Sequence, residues 1–141
     1  MVESPQLLFA TMSPSVASVT LRYSLLSLPF IAAAFLSTAK AADAARGAAL
    51  YESKCGGCHA LDENRYGPAH RGVFGRKAGR AAGYAYSSAV AASGVVWSAE
   101  TLDRWLSDPE KLIPGQKMNV SVAAAQDRLD LIAYLQAQSR K

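Results

Sequence analysis

The chain contains 141 residues, half of them hydrophobic, and carries a formal net charge of +4 at pH 7. This length suits one domain, and a mild positive charge without basic runs or aromatic–basic stripes argues against nucleic-acid binding. The chain has only two cysteines and two histidines, so a structural zinc site, which usually takes four such ligands, would have to use all of them.

The N-terminal segment has the features of an export signal. A basic residue precedes an uncharged, mostly apolar run over residues 23–36, and Ala39-Lys40-Ala41 offers small residues for cleavage. The run is shorter than the ~20 apolar residues of a membrane span. We therefore predict that residues 1–41 are a cleaved signal peptide, that residues 42–141 form one domain, and that this domain is periplasmic. The alternatives are an uncleaved membrane anchor and a start at Met12.

The rest of the chain predicts an all-α domain of four to five helices with long loops. Asp43 can cap a helix over residues 44–54, and Ser98 can cap another over residues 99–107. Residues 60–83 are rich in glycine, which indicates tight turns. The other helices are expected at residues 87–93, at 110–112 and from about 122 to 138. In the last of these, an apolar stripe contains Leu131, Ile132, Tyr134 and Leu135, whereas Asp127 and Arg128 are expected on the solvent side.

The motif Cys55-Gly56-Gly57-Cys58-His59 follows the first predicted helix. Cys-x-x-Cys-His is the spacing that attaches a c-type haem. The two thiols can each form a thioether to one haem vinyl group, and the histidine then lies under the iron. A redox dithiol and half of a zinc site are the alternatives. A covalent haem would also supply a large apolar plate to a domain with limited capacity for a core.

A haem iron with one histidine takes a sixth ligand or keeps an open site. The candidates are His70 and Met118. Met118 lies in a predicted loop over residues 113–119, which is unusual for a core-filling methionine. His70 is expected to be only a surface or loop histidine.

The sequence resembles class I cytochromes c, close to the mitochondrial and bacterial c2-type group. The resemblance covers residues 43–138. The matching positions are residues 55–59, 67–68, 72–79, 83–87, 97, 102, 105–106, 109, 113–118 and 130–135.

The resemblance implies one haem c per chain, attached through Cys55 and Cys58. It implies that His59 is the proximal iron ligand and Met118 the distal one. Pro68 matches the proline whose carbonyl accepts a hydrogen bond from the second nitrogen of the ligand histidine. Such a contact fixes the orientation of the ring and tunes the metal.

The resemblance also implies a cluster around the haem propionates, formed by Arg76, Tyr86, Ser87 and Trp97. Burial of a carboxylate is costly unless donors surround it. Trp105 takes the position of an aromatic residue beside the methionine sulfur. Without the resemblance, these aromatic residues would be ordinary core residues and Arg76 a solvated loop charge.

Two further features follow from the comparison with the family pattern. Gly47 and Tyr51 match a contact between the first and last helices, in which glycine permits a close crossing. Glu110 lies in a segment that is often rich in lysine, so that the remaining basic rim consists of Lys54, Lys111 and Lys117. Electrostatic steering toward a partner should therefore be weaker than in strongly basic relatives.

The implied function is that of a one-electron carrier rather than an enzyme, since histidine and methionine would occupy both axial positions of the iron. It would shuttle electrons between redox complexes through a small transient interface at the exposed haem edge, as a monomer. The alternatives are a haem enzyme or sensor with a labile methionine ligand, and a fixed cytochrome subunit of an oxidoreductase complex.

Overall fold

The computed structural model describes residues 40–140, and the apolar run at residues 23–36 lies outside them. The five helices are α1 (Ala44–Lys54), α2 (Ser88–Ala92), α3 (Ala99–Ser107), α4 (Pro109–Leu112) and α5 (Ala125–Gln138). Between residues 40 and 140 there is no strand, only one isolated antiparallel bridge between Lys77 and Val96. The predicted all-α fold with long loops is confirmed. No helix within residues 40–140 has the length and apolar character that a membrane span requires.

Side-chain caps fix the starts of the helices where the sequence predicts them. The Asp43 carboxylate accepts hydrogen bonds from the backbone N–H groups of Ala45 and Arg46, at 2.9 and 3.1 Å. Ser98 and Thr101 form a reciprocal capping box at the start of α3. Each contact satisfies N–H groups that a helix end would otherwise leave unpaired.

The prediction for the start of the last helix is wrong by three residues, because α5 begins at Ala125 rather than near residue 122. The backbone N–H of Val122 donates to the carbonyl of Leu106 at 2.7 Å, which ties Val122 to the end of α3. The Val122 side chain is buried in the core. A tertiary hydrogen bond and apolar burial therefore hold this residue outside the helix.

The predicted solvent side of α5 is also wrong. The Arg128 side chain is only 12% exposed, and its Nε donates to the Asp103 carboxylate at 2.7 Å. Its Nη1 donates to the carbonyls of Val122 and Ala123, at 3.0 and 2.8 Å. The Asp127 side chain is 16% exposed and pairs with Arg46 of α1. Both charges lie at contacts between elements because each meets an opposite charge there.

The crossing of α1 and α5 brings the two ends of the domain together. A Cβ atom at Gly47 would lie 2.0 Å from the backbone oxygen of Asp130, so only glycine permits this approach. One turn further along α1, the ring of Tyr51 lies 5.3 Å from that of Tyr134. Leu131 is fully buried beside them. The crossing thereby positions the end of α1, where the cysteine motif begins.

A buried carboxylate lies at this crossing. Asp130 is fully buried and accepts hydrogen bonds from the backbone N–H of Asp43 at 2.8 Å and from Gln126 at 2.9 Å. The Arg46 guanidinium also donates to it. These donors lower the pKa of Asp130, with the N–H of Asp43 contributing most.

Replacement of Asp130 by Asn should lower the melting temperature of the domain at neutral pH. A carboxylate whose folded-state pKa is depressed stabilises the fold above its unfolded pKa of about 3.9, and this contribution is lost as the pH falls through the folded pKa. The difference in melting temperature between wild type and Asp130→Asn should therefore shrink in acid, as followed by circular dichroism.

The matched control is Asp62→Asn. The pKa of Asp62 is also lowered, chiefly by its hydrogen bonds to Arg71, but its side chain is 69% exposed. Exposed ion pairs contribute little, so the control should melt close to wild type. An Asp130→Asn variant with an unchanged melting temperature at neutral pH would contradict the assigned role of this carboxylate.

Candidate haem-binding site

The cysteine motif forms a turn that continues directly from α1. The N–H of Cys55 donates to the carbonyl of Tyr51 at 2.8 Å, and the N–H of His59 donates to that of Cys55, also at 2.8 Å. This places Cys55 and His59 one helical turn apart. Cys55 is half-buried and Cys58 exposed, and the two thiols are not joined in a disulfide. Burial raises the pKa of the Cys55 thiol to about 11.

The tautomer of His59 follows from a single hydrogen bond. Its Nδ1 lies 2.8 Å from the backbone carbonyl of Pro68. Because a carbonyl can only accept, Nδ1 carries the proton and Nε2 presents a free lone pair. Burial lowers the pKa of His59, and the hydrogen bond to Pro68 partly opposes this shift. A neutral imidazole with a free Nε2 is the form that binds a metal ion.

The loop that carries Pro68 packs tightly against the histidine. The N–H of Gly67 donates to the carbonyl of Cys58 at 2.8 Å. A Cβ atom at Gly67 would lie 2.2 Å from Cε1 of the His59 ring and within 2.6 Å of both ring nitrogens. The absence of a side chain at Gly67 therefore allows the loop to cover one side of the ring.

His70 is predicted to be only a surface or loop histidine. The prediction of a surface residue is wrong, because its ring packs against other rings. It lies in the loop, but its ring stacks on that of His59, with centroids 4.0 Å apart and planes inclined by 18°. The ring of Tyr51 meets it edge-on at 5.7 Å. Burial, together with the nearby His59 and Arg76, lowers the pKa of His70 to about 3. Its position two residues after Pro68 was the available signal for this proximity.

Two of the residues predicted around the haem propionates, Arg76 and Tyr86, bond to backbone groups of residues 69–81. The Arg76 guanidinium donates to the carbonyls of Arg71 and Ala69, at 3.0 and 2.9 Å. Tyr86 accepts a hydrogen bond at its hydroxyl from the N–H of Ala81 at 3.2 Å. Burial raises the pKa of Tyr86. These contacts hold both side chains against the backbone of the segment that contains Arg76.

The remaining members of this set have different surroundings. Ser87 accepts a hydrogen bond from the N–H of Val90 and thereby caps α2. Trp97 is buried, and its ring lies 5.3 Å from that of Trp105, which is half-buried. The backbone N–H of Trp97 donates to the carbonyl of Arg76 at 3.0 Å. The contact between Trp97 and the Arg76 segment thus joins two separate parts of the chain.

Met118 is half-buried in the predicted loop, which is held by its own hydrogen bonds. The Glu110 carboxylate accepts from the N–H of Gly115 at 2.9 Å and from the side-chain amide of Gln116 at 3.2 Å. The Oε1 of Gln116 in turn accepts from the N–H of Met118. Within residues 40–140, no hydrogen bond joins Met118 to the cysteine motif. This Glu110–Gln116 brace could not be predicted, because no sequence pattern pairs two polar residues across a turn.

The donor set fits a covalently attached haem. The unpaired thiols of Cys55 and Cys58 lie on the same turn as His59, whose imidazole has a free Nε2. The thioether of Met118 lies in a separate loop. Half-buried apolar side chains, among them Phe74, Leu112 and Trp105, lie against the buried core. This arrangement defines a protein of the c-type haem class.

Comparisons with known proteins agree with this class. The cytochrome c family model matches residues 44–139. Cytochrome c of Euglena viridis is 46% identical over 96 residues, which cover 66% of this chain and 94% of that protein. Cytochrome c of Arabidopsis thaliana is 40% identical over 102 residues, which cover 70% of this chain and 91% of that protein. The structure of cytochrome cH from Methylobacterium extorquens is 41% identical, with a TM-score of 0.65 over 67% of this chain and 98% of that one.

The chain therefore belongs to the cytochrome c family, which confirms the predicted family. It is a haem-containing electron carrier whose cofactor is covalent haem c, in agreement with the Cys-x-x-Cys-His spacing of Cys55, Cys58 and His59.

Replacement of Gly67 by Ala should displace the His59 ring or the loop that covers it. Overpacking of this kind costs about 1–3 kcal/mol of folding free energy. We expect a lower free energy of unfolding by guanidinium titration and a lower yield of haem-loaded protein.

Gly57→Ala is the matched control for this prediction. It adds the same methyl group within the cysteine motif, but a Cβ atom at Gly57 meets nothing within 4 Å. Equal stability and haem loading for the two variants would contradict the close packing of Gly67 on His59.

Proposed function

We propose that the protein is a one-electron carrier in which Cys55 and Cys58 attach the haem and His59 and Met118 are the axial ligands. The single observation that carries this assignment is the hydrogen bond from His59 Nδ1–H to the Pro68 carbonyl. It leaves Nε2 as the only ring nitrogen that can bind a metal, and it restrains the rotation of the ring.

When bound, the haem supplies an iron that alternates between Fe(III) and Fe(II). The protein contributes rigidity, because a site that moves little between two charge states transfers an electron with a small barrier. Gly67 and Pro68 hold His59, and the Glu110–Gln116 brace holds the backbone at Met118. The thioether of Met118 would favour Fe(II) and raise the reduction potential.

We further propose that Arg76, Tyr86, Ser87 and Trp97 surround the haem propionates, with Trp105 beside the Met118 sulfur. Arg76 supports this role best, because it is half-buried and its charge is not paired with a carboxylate within residues 40–140. A buried anion gains most from such a fixed donor. The contact between Trp97 and Trp105 would connect the two groups of residues.

The partners in this proposal are redox proteins that dock transiently at the haem edge. Lys54, Lys111 and Lys117 are exposed, and a thin basic rim formed by them would suit a weakly acidic partner surface. We propose that the carrier works in the periplasm, a location supported by the signal-like residues 1–41. Occupation of both axial positions leaves the iron no open site, and the protein would then have no enzymatic activity.

Replacement of Met118 by Leu in the haem-loaded protein should remove the weak far-red band that reports sulfur bound to ferric iron. The optical spectrum should then show high-spin features, and the reduced protein should bind carbon monoxide. Asn119→Ser, a change at the exposed neighbour, should leave the spectrum unchanged. An identical far-red band in Met118→Leu would rule out Met118 as the ligand.

The Glu110–Gln116 brace can be tested in the same protein. Gln116→Leu removes the amide that joins Glu110 to the N–H of Met118. The loss of such a hydrogen bond is worth about 1 kcal/mol, so added imidazole should displace Met118 with an affinity about fivefold higher than in wild type. Imidazole binding followed optically is the measurement, Asn119→Ser is the control, and unchanged affinity would show that the brace does not hold the ligand loop.

A further inference from the structure

Two buried polar atoms, one on Tyr51 and one on His70, lack a hydrogen-bonding partner in the described part of the chain. Both Tyr51 Oη and His70 Nδ1 are buried, and neither has a hydrogen-bonding partner within residues 40–140. An unsatisfied buried polar group costs about 1–3 kcal/mol, so native proteins rarely leave two neighbouring ones unpaired. The proposed electron-transfer mechanism uses neither atom.

The two atoms are complementary in chemistry and belong to adjoining rings. A tyrosine hydroxyl donates, whereas the unprotonated Nδ1 of a neutral imidazole accepts. The ring centroids of Tyr51 and His70 lie 5.7 Å apart in an edge-to-face arrangement. One water molecule can bond to polar atoms on two adjoining rings when each atom lies within hydrogen-bond length of it.

The backbone fixes where the His70 ring can lie. The N–H of His70 donates to the carbonyl of Ala60 at 3.0 Å, and its own carbonyl accepts from Val73 at 2.9 Å. With the main chain held on both sides, the ring lies against His59 with a centroid separation of 4.0 Å. Tyr51 is equally constrained, since its side chain is fully buried on α1.

We propose that Tyr51 and His70 enclose one buried water molecule that joins the tyrosine hydroxyl to His70 Nδ1, and that this unit positions the His59 ring and lowers the reduction potential of the haem. His70 is a positioning residue in this proposal, and it acts through the stacked ring of His59. A polar environment around a metal ligand favours the more highly charged ferric state. The inference rests on the proposed role of His59 as the proximal ligand.

A double-mutant cycle on the haem-loaded protein tests the unit. The reduction potentials of wild type, Tyr51→Phe, His70→Leu and the double variant are measured by spectroelectrochemical titration. We expect both single variants to have a higher potential than wild type and the double variant to match His70→Leu, because the hydroxyl acts only through His70. Additive shifts, or an unchanged potential in Tyr51→Phe, would overturn the proposal.

Tyr134→Phe is the matched control. It also removes one tyrosine hydroxyl, from a ring whose centroid lies 5.3 Å from that of Tyr51, but Tyr134 has no ring contact with His70. Its potential should equal that of wild type. A shift as large as that of Tyr51→Phe would mean that any nearby hydroxyl has this effect, and the proposal would fail.

Nitrogen-15 NMR of the ferrous wild-type protein provides a second test that needs no variant. We expect a hydrogen at Nε2 of His70, a hydrogen-bonded and unprotonated Nδ1, and a cross-peak between the Tyr51 hydroxyl and a long-lived water. A protonated Nδ1 would overturn the proposal. Failure of His59 ligation would instead appear in wild type as loss of the low-spin optical spectrum, which distinguishes it from failure of the water-bridged pair.

Discussion

The hydrogen bond between His59 and the Pro68 carbonyl is the constraint on which the site depends. It fixes the tautomer of the imidazole, and the loop that supplies it is anchored in turn. Asn64 donates to the carbonyl of Ala82 at 2.9 Å and accepts from the N–H of Ala69 at 2.9 Å. The orientation of the His59 ring therefore depends on two loops, and a change in either loop would move the proposed iron ligand.

The crossing of α1 and α5 positions a second part of the site, the cysteine motif. Gly47 lets the helices approach until a Cβ atom would clash, and the buried Asp130 locks the crossing through Arg46. The cysteine motif begins at the next residue after α1. The stability of the terminal helices and the placement of the attachment cysteines are therefore two consequences of one contact.

Much of this arrangement could be predicted from local signals. Asp43 and Ser98 mark helix starts because their side chains satisfy N–H groups a few residues away, and Cys55–His59 forms one turn whose chemistry depends on its own spacing. The position of Arg128 could not be predicted, because its partner Asp103 lies 25 residues away and a periodicity argument assigns every charge to solvent.

The packing of His70 shows the same limit at the site. Its position two residues after Pro68 predicts that His70 lies near Pro68. The stack on His59 and the edge contact with Tyr51 could not be predicted, because both partners lie in other parts of the chain. The proposed ligand role of Met118 likewise depends on a loop whose distance from His59 no local sequence pattern predicts.

The proposed haem attachment and iron ligands can be tested with the optical spectrum of the purified ferric and ferrous protein, expressed with haem-attachment machinery. Attachment through Cys55 and Cys58 with His59 and Met118 as ligands predicts a low-spin c-type spectrum with the weak far-red sulfur-to-iron band. A high-spin spectrum would rule out the ligation by His59 and Met118, and a haem that organic solvent extracts from the protein would rule out the covalent attachment.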